Sequence, residues 1–271
     1  NDLTDAFLKS AMEWWMQPEP WGKIKRGNSA ATVNKLYRHI KSVWNLAWEA
    51  HDLVPRNCRT KPYREIKRKP RAWRPEQVTQ IVRAATLMPG MVGKVPANVW
   101  WPAQILIALN LGGRISSAMD ILTANLDLDR GQVWLAGETQ KHRSDEAYDL
   151  FPSTIEALRR LAPHERGLKY VFGDWPFDQK NRSWHVLRRH LRKLLVLAGL
   201  FDKCEDVTRD DLFHQFRKVV ATQIAAKRGI IEAQRYLGHS VIAVTARYID
   251  EMQLERPRAN ELLIDPMAAV S

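Results

Sequence analysis

The chain has 271 residues, 45% of them hydrophobic, which supports a packed core in one large domain or two modest ones and excludes a disordered tail. Lys plus Arg number 42 against 30 Asp plus Glu, a formal charge of +12 that favours a polyanionic partner. Charge alone leaves open a basic protein with no nucleic-acid role. Cys58 and Cys204 lie far apart and in no CxxC or CxxH pattern, which argues against a metal site or a disulfide framework and suits a reducing cytoplasm or nucleoid. Residues 99–111 form the most apolar stretch, yet Pro102, Gln104 and Asn110 interrupt it and it falls short of the ~20 residues of a membrane span. No secretory signal opens the chain, and Asn1 in place of Met fits the loss of an upstream segment.

In chain order, Leu3, Phe7, Ala11 and Trp14 or Trp15 recur at helical steps. Thr32 is the expected cap of a second helix carrying Val33, Leu36, Tyr37, Ile40, Val43, Trp44 and Ala47. That helix also presents Lys35, Arg38, His39 and Lys41, either as a solvated face or as a DNA-facing one. Residues 1–60 therefore read as a small helical domain. Residues 61–74 hold Lys61, Arg64, Lys67, Arg68, Lys69, Arg71 and Arg74 among Pro62 and Pro70, so they read as an extended basic linker. Such a linker is either a solvated loop or a strap along a phosphate backbone.

From Pro75 a helix with Val78, Ile81, Val82 and Ala85 is expected. Another covers residues 103–111 and ends at Gly112-Gly113; a third begins near Arg114 and buries Ile115, Ala118, Met119 and Leu122. The period then changes. Residues 132–136 and 147–151 read as short strands of a hairpin whose loop holds Lys141, His142 and Arg143. Helices follow over 154–161, 184–197, 212–227 and 231–237, the third started by a Thr208-to-Asp211 capping box. Trp44, Trp48, Trp73, Trp100 and Trp101 read as core or interface groups rather than base-stacking ones. The whole is mainly α with a small antiparallel sheet (α+β).

His214 and Arg217, three apart, share one helix face, which alone is a common surface arrangement. Leu237-Gly238-His239-Ser240 follows, and Tyr248 stands nine residues after His239. In order and spacing, His214-Gln215-Phe216-Arg217, this LGHS and Thr245-Ala246-Arg247-Tyr248 resemble the tyrosine recombinase (phage integrase) family. Gly112-Gly113-Arg114-Ile115-Ser116 resembles that family's first box, and the hairpin loop sits where the family carries a mobile lysine. The resemblance covers about residues 75–250 with motifs, and the N-terminal part in character only, as a core-binding domain.

The resemblance implies a helical core-binding domain (1–60), a basic linker (61–74) and a DNA breaking-rejoining domain (75–271) closing as a C-shaped clamp on double-stranded DNA. It implies Arg114 and Arg217 as phosphate clamps, Tyr248 as nucleophile, Lys141 as acid for the departing 5′ oxygen, and His214 and His239 as phosphate and proton partners. Lys35, Arg38, Lys61, Arg64, Lys67, Arg68, Lys69 and Arg71 are the candidate DNA-binding residues. Also implied are strand exchange through a 3′-phosphotyrosine and a Holliday junction by a tetramer, with no metal, cofactor or membrane, in the nucleoid-bearing cytoplasm. Two departures stand out: Ser117 replaces the family's usual acid, leaving Asp120 as an alternative support for Arg114, and Lys218 stands where a second histidine often follows. A tail with Leu254, Leu262, Leu263 and Ile264 is expected to dock on a neighbouring protomer or on its own domain. The alternatives are a type IB topoisomerase and a catalytically silent DNA-binding relative.

Overall fold

The computed structural model describes residues 4–18, 27–51, 53–54, 59–66, 69–137, 145–173 and 184–254, the Trp184 side chain excepted. The chain divides into two compact units, Asn1–Arg68 and Lys69–Ser271. No described helix is long and apolar enough to cross a membrane.

The first unit pairs α1 (Asp5–Met16) with α2 (Ala30–His51). Leu8 and Met12 pack on Val33 and Tyr37, with Trp15, Ile40 and Tyr63 at the margin. The buried stripe of α1 is thus one step from the expected one, since Phe7 and Trp14 are exposed. Thr32 lies inside α2. The cap is Ser29, whose Oγ accepts from the Thr32 amide at 3.3 Å.

Residues 59–66 carry no helix or strand, yet the first part of the expected linker is docked. Asp5 Oδ1 accepts from the Thr60 amide at 2.8 Å, and Tyr37 donates to Thr60 O at 2.7 Å. Asn34, buried near the start of α2, accepts from the Tyr63 amide and donates to Tyr63 O, both at 2.8 Å. The last part belongs to the second unit. Ala72 and Trp73 pack there, Trp73 edge-on to Phe216 at 5.1 Å. Lys35, Arg38, Lys61, Arg64, Lys69 and Arg71 are all exposed; Lys67 and Arg68 lie outside the described residues.

The second unit is built around α4 (Ala97–Leu111), packed by α3 (Pro75–Ala85), α6 (Pro152–Leu161) and α8 (His214–Arg228). Trp100, Trp101, Ile105 and Ile107 are fully buried, each of the larger groups contributing ~1.5–3 kcal/mol by burial. Helix α4 begins six residues before the expected start because Pro102 is accommodated inside it. A helix buried on every side also shows no amphipathic period. The hairpin of β1 (Met91–Val92) and β2 (Val95–Pro96) precedes it, and α5 (Ile115–Met119) follows. Strands β3 (Leu126–Asp127), β4 (Gln132–Leu135) and β5 (Glu146–Asp149) form an antiparallel sheet in that order. Phe151, expected in the last strand, is instead the N-cap of α6.

Helix α7 (Trp184–Leu197) matches its expected bounds. The Thr208 box caps a 3-10 turn, Arg209–Asp211, rather than an α-helix, with Asp211 Oδ2 accepting from the Thr208 amide and hydroxyl. The following helix, α8, therefore opens at His214. Two short helices, α9 (Ile230–Tyr236) and α10 (Ile242–Thr245), lead to Tyr248.

Candidate active site

The site forms where α4 ends. Gly112 caps α4 at φ 56°, in the left-handed region. A Cβ there would stand 2.8 Å from both Leu237 Cδ2 and Val220 Cγ1, so only glycine fits. Its carbonyl accepts from Arg217 Nη1 at 2.7 Å, reaching across from α8. Arg217 Nη2 donates to Leu237 O at 2.9 Å and to His239 Nε2 at 2.6 Å.

Gly238, at φ 62°, turns the chain out of α9 and presents His239. The turn is pinned twice: the His239 amide donates to Gln234 O, and Gln234 Nε2 donates to His239 O. Guanidinium groups only donate, so His239 Nε2 is the acceptor toward Arg217. Its proton then sits on Nδ1, 2.9 Å from Thr245 Oγ1.

Tyr248 packs into this cluster. Its ring centroid lies 4.9 Å from that of His214 and 5.3 Å from that of His239, with Arg217 Cζ 5.4 Å away. The segment after it is fixed. Ile249 is buried against Val220 and Leu237, and the Asp250 amide donates to Thr222 Oγ1. Asp250 Oδ2 accepts from the Ala72 amide, and Gln253 Nε2 donates to Ala72 O. Burial opposes ionisation of Asp250, but these hydrogen bonds outweigh it and hold the carboxyl below its usual range.

Arg114, Arg217 and His239 line one pocket of about 280 Å³, together with Ser117, Tyr148 and Tyr236. His214 is not on its wall; it reaches the cluster through Tyr248 and lines a separate groove beyond Arg114. Arg114, the N-cap of α5, is exposed, whereas Arg217 is 4% exposed. Burial lowers Arg217 from the guanidinium range and Tyr248 opposes this; the group remains a cation. His214 is held below the ordinary histidine value, first by desolvation, then by Lys218, Arg217 and Arg114. Because its outer edge is open to water, screening limits the size of that shift.

Two phenols that sequence reasoning missed form the far wall. Tyr148 donates to Glu146, and its ring meets that of Tyr236 edge-on at 5.7 Å; Tyr236 donates to Asn110 O. Burial, and for Tyr148 the neighbouring Glu146, push both upward, so both stay protonated. Alternation along β5 put Glu146 and Tyr148 on one face, but nothing in the sequence said which face meets α9. Thr245 and Asp250 were likewise given no role. Lys141 lies outside the described residues; on either side of it, the Gly137 amide donates to Asp145 Oδ1 at 2.7 Å. The outer tail leucines, Leu262 and Leu263, and Ile264 also lie outside them. Ser117 is buried on the pocket wall and Asp120 is half-buried at the end of α5.

The profile of the phage integrase family matches residues 72–254. Among solved structures, a lambda integrase dimer bound to a COC′ core site is similar with a TM-score of 0.65 at 14% identity, covering 95% of this chain and 83% of that one. XerH recombinase in a post-cleavage complex with a palindromic difH substrate gives 0.67 at 17%, covering 93% and 68%. The Tn1549 transposon integrase in complex with a circular-intermediate DNA gives 0.64 at 17%, covering 90% and 81%. At these identities the structural likeness is one of fold, that of tyrosine recombinase catalytic domains. A comparison with curated proteins returned no match.

Proposed function

Because the chain belongs to the phage integrase family, we propose that it is a site-specific DNA recombinase whose Tyr248 cuts and rejoins strands through a 3′-phosphotyrosyl bond. The observation that carries this reading is the pocket in which Arg114, Arg217 and His239 converge, with the Tyr248 ring packed beside it against His239, Arg217 and His214.

A phosphodiester entering the pocket sets its non-bridging oxygens against two guanidinium groups, which offset the charge that grows on the phosphorane, so no metal is needed. Entry breaks the Arg217–His239 contact and turns both groups to phosphate oxygens. The Tyr248 oxygen attacks phosphorus while neutral His214 accepts the phenolic proton. The bond to the 5′ oxygen breaks, and Lys141 supplies the proton that makes it a hydroxyl. Rejoining runs this in reverse: a 5′-hydroxyl from the partner strand attacks, Lys141 takes its proton and Tyr248 regains one. The phosphotyrosine conserves the ester bond energy, so no nucleotide cofactor is consumed.

Double-stranded recombination sites are the substrate, exchanged by a tetramer through a Holliday junction. Residues 1–60 act as a core-binding domain, with Lys35 and Arg38 of α2 on the phosphates. Lys61, Arg64, Lys67, Arg68, Lys69 and Arg71 continue that contact.

The test is a library of nicked duplexes with randomised centres, in which cleavage releases a short fragment and traps the protein. A covalent adduct from the wild type that vanishes in Tyr248→Phe supports the reading; the trapped sequences then identify the site. No adduct leaves a silent DNA binder. Plasmid relaxation without exchange between two such sites leaves a topoisomerase.

A further inference from the structure

Beyond Arg114 lies the separate groove, of about 550 Å³, two of whose arginines the chemistry above does not use. Its walls bring three arginines together: Arg114 from the start of α5, Arg188 from α7 and Arg209 from the 3-10 turn. His214, Leu212 and Phe213 are on the wall, and Asp210 is the only carboxylate lining it among the described residues.

The arrangement is built rather than incidental. Arg192, one turn after Arg188, donates from Nε to Val207 O at 3.2 Å, which ties the segment before the turn to α7. Asp211 is used inside the turn, where it accepts from both the amide and the hydroxyl of Thr208. It therefore holds the turn shut. Arg209 is exposed while Arg188 is half-buried, so one cation stands at the rim and one in the wall. The 15-residue helix α8 also begins at this groove, with no side chain capping its amides, which adds a partial positive charge.

A groove with three guanidinium groups, a helix N-terminus and one exposed carboxylate selects for an anion. Since it shares Gly113 and Arg114 with the pocket, a polyanion seated in one runs on into the other. We infer that Arg188 and Arg209 form a second phosphate subsite, which holds the DNA phosphodiester neighbouring the one that Tyr248 attacks. This rests on the proposed function. Its consequence is directional: the strand is gripped on the α7 side of the scissile phosphate, which fixes the phosphorus relative to Tyr248.

The test is binding of a 30-base-pair duplex of arbitrary sequence, by fluorescence anisotropy across a sodium chloride series. Arg209→Ala and Arg188→Ala are each expected to flatten the slope of log affinity against log salt by roughly 1. Arg188→Lys and Arg209→Lys are expected to restore it, because a cation remains. Arg209 is exposed on a turn, so its variant reads the subsite even where Arg188→Ala perturbs folding. Wild type that does not bind DNA at all overturns the functional reading. Wild type that binds, with a slope the alanine variants leave unchanged, overturns the subsite alone.

Discussion

Arg217 is 4% exposed and its Nη groups bond the carbonyls of Gly112 and Leu237, whereas Arg114 stands exposed at the N-cap of α5 on the same pocket. One guanidinium is part of the fold and the other is presented on it. The buried half of the site, Arg217 with His239 and Thr245, is held by hydrogen bonds within the protein. The open half, Arg114 with His214, is exposed and faces the groove.

The comparison breaks most visibly at its two arginines. Arg217→Ala removes a buried cation and leaves two carbonyls without their donors, at ~1–3 kcal/mol each. Adduct formation is expected to fall by ~10³-fold or more, and the melting temperature should drop with it. Arg114→Ala should cost ~10²–10³-fold in adduct formation with no change in melting. Equal melting losses in the two variants would erase the distinction. Gly112→Ala should come next: strain at φ 56° and contacts at 2.8 Å destabilise by ~1–3 kcal/mol. Because the Gly112 carbonyl is the seat of Arg217, thermal melting and adduct yield should decline together.

The open half answers to pH. The folded His214 sits below the ordinary value of 6.5, so the unfolded chain binds that proton more readily. Its contribution to stability is complete above 6.5 and is lost as pH falls from there toward the folded value. Adduct formation, which needs the neutral ring, should fall on the same acid limb. Lys218→Ala removes the first of its cationic neighbours, so that limb should move to higher pH in a rate–pH profile. A limb that stays in place removes His214 as the proton acceptor. The smallest effect is expected from Thr245→Val, which takes one hydrogen-bond partner from His239 Nδ1. It should slow adduct formation by roughly tenfold or less, in line with ~0.5–1.5 kcal/mol for one hydrogen bond.

The same contrast explains what was legible in the sequence. Polar letters at fixed intervals could be read, because helix spacing and a glycine turn bring His214, Arg217 and His239 together locally. Helix α7 was legible end to end, since one apolar face alternates with arginines. Helix α4 was not, because burial on every side leaves no period and Pro102 imitates a boundary. The short elements β1, β2, β3 and α10 carry too few residues to show a pattern. The support of Arg217 by Gly112, the phenols of Tyr148 and Tyr236, and the clasp between Asp250 and Ala72 all join residues remote along the chain. Only the packed structure shows those.

The most direct measurement is to digest the trapped protein–DNA complex and sequence the DNA-linked peptide by mass spectrometry. A single linked residue is expected, Tyr248, carrying the phosphate of a 3′ end, with the released strand ending in a 5′-hydroxyl. Linkage through Tyr236, Tyr148 or any other side chain, or a 5′-phosphate end, would contradict it.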